Sequence, residues 1–87
     1  MTKEDIENWL NVEYPLTIVS DRYNGSYSRG KYIAFPKEPW KINSAINGND
    51  VECMNYWNDF AGIIGKGNTP DEAFENLKNN MMLRLKL

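Results

Sequence analysis

An 87-residue chain with a formal charge of −2 is long enough for one domain, residues 1–87, and too short for two. It contains no histidine and a single cysteine, Cys53. That composition excludes Ser-His and Cys-His nucleophile pairs, most zinc sites and an internal disulfide. A chain of this size buries only about 60–65% of the surface it exposes when unfolded. Most of its three Trp, five Tyr and three Phe are therefore expected in the core.

The charge is uneven. From Asp21 to Lys41, Arg22, Arg29, Lys31, Lys37 and Lys41 face only Asp21 and Glu38, a local balance of +3 against −5 for the rest. A net negative chain is not expected to bind nucleic acid, which asks for many phosphate contacts. No apolar run nears the ~20 residues that span a bilayer, and Met1-Thr-Lys-Glu-Asp5 does not read as a signal peptide. No membrane contact and a cytoplasmic location are the expectations.

In chain order, Thr2 and Asp5 have capping-box spacing before Ile6, Trp9 and Leu10, which predicts a short helix over 2–11. Leu16-Thr-Ile-Val19 and Lys31-Tyr-Ile-Ala-Phe35 read as two strands of an antiparallel hairpin. Its long tip, 21–30, carries the Asn24-Gly25 turn signal. Residues 36–49 read as loop, with a helical turn near Ile42–Ile46. Asp50 is expected to cap a helix over 51–59 with Val51, Met54 and Tyr56 or Trp57 facing inward. Gly62-Ile-Ile-Gly-Lys-Gly67 reads as a third, short strand. Thr69, Pro70 and Glu72 satisfy three helix-start rules at once, ahead of Ala73, Phe74, Leu77 and Met81 on one face. That helix is expected to reach about residue 83, with 83–87 open between helix and strand.

The predicted fold is α+β: a three-stranded, mainly antiparallel sheet against a C-terminal helix, with short helices at the start and before strand three. An open sheet edge would allow a homodimer by strand pairing.

Catalytic chemistry has few carriers here. Asp50, Glu52 and Asp59 are the nearest thing to a carboxylate cluster, but Asp50 is better used as a cap, and no metal or other cofactor is expected. Cys53 lies among apolar residues without an activating partner and reads as a buried thiol. Gly62, Gly65 and Gly67 fit a strand-to-helix turn and match no phosphate-binding fingerprint. The tip remains. Arg22, Tyr23, Asn24, Tyr27, Ser28 and Arg29 bring two guanidinium groups and two phenol rings into one turn, a combination suited to anchoring a protein interface or an anionic ring compound. Trp40, between prolines, is the second candidate.

The segment Gly65-Lys-Gly-Asn-Thr-Pro-Asp-Glu-Ala-Phe-Glu-Asn-Leu77, with Tyr32-Ile-Ala-Phe-Pro36 before it, resembles the small HicB-type antitoxin domain over about half the chain. That resemblance implies a β-β-β-α plan; the first helix and residues 37–60 have no counterpart in it. Tyr14-Pro-Leu-Thr-Ile-Val-Ser-Asp-Arg-Tyr23 through Tyr32 is similar to small proteins encoded by bacteriophages, which often inhibit host defence. The function expected is thus non-catalytic binding of a host protein through the 21–30 loop. The second expectation is capture of a nucleotide-like ligand between tyrosine rings and arginine forks. On the first, Tyr23→Ala with Arg29→Ala should abolish binding and leave the fold intact.

Overall fold

The structure, a computed structural model, describes residues 1–87. The first helix, α1 (Lys3–Val12), starts where the capping box predicts: Thr2 accepts from the Asp5 N–H, and Asp5 accepts in return from the Thr2 N–H. It ends at Glu13, whose left-handed φ of 54° turns the chain. The Tyr14–Pro15 peptide that follows is cis.

Strands β1 (Thr17–Ser20) and β2 (Tyr32–Phe35) pair antiparallel, with Ile18 opposite Ala34 and Val19 opposite Ile33. Strand β3 (Gly65–Gly67) pairs antiparallel on the far side of β2, so the order is β1-β2-β3. Two single turns of 3-10 helix, Pro39–Lys41 and Ser44–Asn47, and helix α2 (Asp50–Asp59) lie between β2 and β3. Helix α3 (Pro70–Leu85) completes the chain. The predicted α+β architecture is what the chain adopts, and the tail stays helical to Leu85 rather than forming a strand.

Period-two alternation in β2 divides the core. Tyr32 and Ala34 face α1 and α3, in a cluster with Ile6, Trp9, Ala73, Leu77 and Met81. Ile33 and Phe35 face the other way, into a second cluster with Ile46, Ile64 and the rings of Tyr56, Trp57 and Phe60. The sheet is covered on both faces, with α2 forming the second layer. Trp9 closes the first cluster: its indole N–H donates to the Pro15 carbonyl at 2.7 Å, and its ring meets Phe74 edge-on. Only Tyr14 and Trp40 among the aromatic residues are exposed.

Two expectations for α2 are corrected. Its cap is Asn49, whose side chain accepts from the Glu52 N–H at 2.9 Å, and Asp50 is the first helical residue. Val51 and Met54 are 61% and 41% exposed, while Cys53 is buried and Trp57 half-buried on the inner face. The face set by Cys53, Trp57 and Phe60 brings two large rings onto Phe35, and that buried area outweighs two aliphatic side chains.

The seat of α3 depends on glycine. Gly65 and Gly67 face the helix, and a Cβ on Gly67 would stand 2.6 Å from the Ala73 nitrogen. The helix in turn covers the outer edge of β3: the Asn76 and Asn80 amides donate to the Lys66 and Ile64 carbonyls at 2.6 and 2.7 Å. Strand β1 forms the opposite edge of the sheet.

Candidate functional site

The 21–30 loop is folded from inside by Asp21. Its N–H donates to the Lys31 carbonyl at 2.8 Å as the last rung of the hairpin. Its carboxylate turns under the loop and accepts from the Tyr23 N–H (3.2 Å), the Gly25 N–H (2.6 Å) and the Ser28 hydroxyl (2.8 Å). Ser28 is fully buried. Its one proton goes to the carboxylate, because a charge-assisted bond is the stronger, and the Gly30 carbonyl lies 3.1 Å from the same oxygen. Asn24 and Gly25 both have positive φ, 54° and 92°, as their turn signal requires. The Arg29 N–H bonds the Gly25 carbonyl at 2.9 Å and closes the loop.

A second set of bonds braces the loop from outside. An Arg22 N–H donates to the Asn47 carbonyl at 2.5 Å, and the Tyr23 hydroxyl donates to the Gly48 carbonyl at 2.7 Å. These bonds clamp the tip to the turn that leads into α2. The Arg22 guanidinium also lies over the Tyr23 ring, 5.5 Å from its centre. Tyr27 meets Tyr23 edge-to-face at 5.4 Å. Partial burial, with the Asp50 carboxylate beside it, pushes the Tyr27 phenol above its ordinary range.

Ser28 is buried beneath the loop and offers nothing to a partner, and the other six residues singled out from the sequence fall into three groups. Arg22, Tyr23 and Tyr27 are gathered into the brace, although Arg22 keeps exposed surface. The edge-to-face packing of the two tyrosines fills the space that a flat ligand sandwiched between them would need. Asn24 and Arg29 are exposed at the tip. Trp40, 77% exposed, lies beyond the other end of the hairpin, where the Lys37 carbonyl accepts from the Thr17 hydroxyl. The local +3 balance is divided accordingly: Lys37 and Lys41 lie with Trp40, and Lys41 is paired with Glu38 at 3.5 Å. Because Tyr23 helps hold the fold, truncating it together with Arg29 does not separate binding from folding.

Sequence reasoning missed Asp21 and Ser28 as the organisers of the loop. The available signal was an Asp three residues before Asn-Gly, a spacing that lets the carboxylate reach the turn's own N–H groups.

Cys53 lies under the clamp with its sulfur 3.8 Å from the Ile46 carbonyl. Burial, with Asp21 and Asp50 adding to it, pushes the thiol up from its ordinary 9.0. The folded state then holds this proton more tightly than the unfolded chain, so its contribution is fully present below pH 9.0 and is lost as pH rises. Urea midpoints measured at pH 7 and pH 10 should fall more for the wild type than for Cys53→Ala. Equal falls would contradict this account.

Comparison with known protein families, with curated proteins and with solved structures finds no match.

Proposed function

We propose that this chain is a non-catalytic binding protein that docks onto a host protein through the 21–30 tip and inhibits or modulates it, in keeping with its resemblance to phage-encoded proteins. The observation that carries the reading is Arg29. It is exposed, and its φ of 69° lies in the left-handed region, where glycine is favoured and arginine is not. An L-residue held there costs about 1–2 kcal/mol. A strained residue at an exposed position on a braced loop points to use of its side chain. A loop already fixed in shape also loses little entropy on binding.

The test separates binding from folding. In Arg29→Gly, relief of the left-handed strain is offset by about 0.5–1 kcal/mol of added unfolded-state freedom. The melting temperature is therefore expected to hold or to rise by a few degrees. Capture of the partner from host lysate by the tagged variant should fall at least tenfold. Undiminished capture of the same protein by folded Arg29→Gly would sink the proposal.

A further inference from the structure

A groove of about 620 Å³ runs between β3 and the last turns of α3. It continues past Phe60, Ile64 and Arg84 into a smaller hollow of about 270 Å³ that reaches Lys37. We propose that this groove is a docking surface for an extended, acidic segment of a protein partner carrying apolar side chains.

Charge complementarity sets the partner's sign. Lys37, Lys66 and Arg84 line the two hollows and no Asp or Glu does, in a chain with 12 acidic and 10 basic residues. The ion pairs of the fold are Lys41–Glu38 and Lys78–Glu75, so these three cations have no carboxylate partner within 4.0 Å. Lys66 is half-buried, over the Trp57 ring at 5.7 Å, and burial with Arg29 nearby pulls its pKa down. An incoming carboxylate would offset both effects.

The apolar part of the lining makes the partner a peptide. Leu83, in the last turn of α3, and Leu87, two residues past its end, are 60% and 87% exposed and line the groove together with Phe60. A nucleic acid would leave these side chains unused and would find only three cations. The occupant does not extend the sheet, because the outward carbonyls of Ile64 and Lys66 already accept from Asn80 and Asn76. It is held by its side chains.

The experiment is selection of a random dodecapeptide display library on the full chain, followed by titration of the enriched peptides as synthetic, labelled probes. Enriched sequences should interleave at least two Asp or Glu with apolar residues. Their affinity should fall at least tenfold in Lys66→Glu/Arg84→Glu, fall with added salt, and stay unchanged in Glu7→Gln, on the exposed side of α1 and away from both hollows. Should the double variant not fold, Lys37→Glu/Arg84→Glu, at two exposed positions, takes its place. No enrichment, enrichment without acidic residues, affinity indifferent to charge reversal, or tighter binding of labelled oligo-dT than of any peptide would each overturn the proposal.

Discussion

Gly65→Ala is expected to cost at least about 3 kcal/mol, a large part of the 5–15 kcal/mol typical of a whole domain. The added methyl would collide with the Ala73 carbonyl oxygen and with the Leu77 backbone of α3. Side chains can rotate away from an intruding atom, but a helix backbone has to move as a unit. Lifting α3 off β3 would loosen Ala73, Leu77 and Met81 and lengthen the amide bonds from Asn76 and Asn80. At about 4–8 °C per kcal/mol for a domain of this size, the melting temperature should drop by more than about 12 °C. Thermal denaturation followed by circular dichroism measures this. A loss below about 1 kcal/mol would mean that α3 is not seated on β3 as described.

Asp21→Ala should cost about 2–4 kcal/mol and should loosen one loop rather than the whole molecule. The carboxylate accepts from two backbone N–H groups and from the buried Ser28 hydroxyl, which without it would be left with the Gly30 carbonyl at 3.1 Å. Hydrogen bonds to a charged group contribute about 1.5–3 kcal/mol, and a buried donor left unpaired adds its own desolvation cost. Hydrogen exchange should show faster exchange over residues 22–29, while the amides of α3 change only with global stability. Asp21→Asn offers one carbonyl oxygen in place of two carboxylate oxygens and should fall between wild type and alanine. Unchanged exchange in the tip of Asp21→Ala would remove the proposed internal scaffold.

The sequence was most informative where local rules decide the outcome. Thr2 with Asp5 and Thr69 with Pro70 and Glu72 start their helices by bonds that reach only three or four residues along the chain. The strand at Tyr32–Phe35 was equally legible, as a short apolar run closed by Pro36. What escaped was decided by distant partners. Val51 and Met54 are as apolar as an inner face requires, and only the position of Phe35 selects the Cys53–Trp57 face instead. Arg22 and Tyr23 have the chemistry of a recognition surface. That same chemistry makes a clamp once the fold brings the carbonyls of Asn47 and Gly48, 25 residues away, within reach. Trp40 and the tip are close in sequence, yet β2 runs between them.

The claim that the braced tip meets a partner is tested most directly by site-specific photo-cross-linking in host lysate. A benzophenone side chain would be placed in turn at position 24 or 29 of the tip and at position 7, on the exposed side of α1. One host protein should cross-link from both tip positions and not from position 7. A partner that cross-links from position 7 and from neither tip position would contradict it.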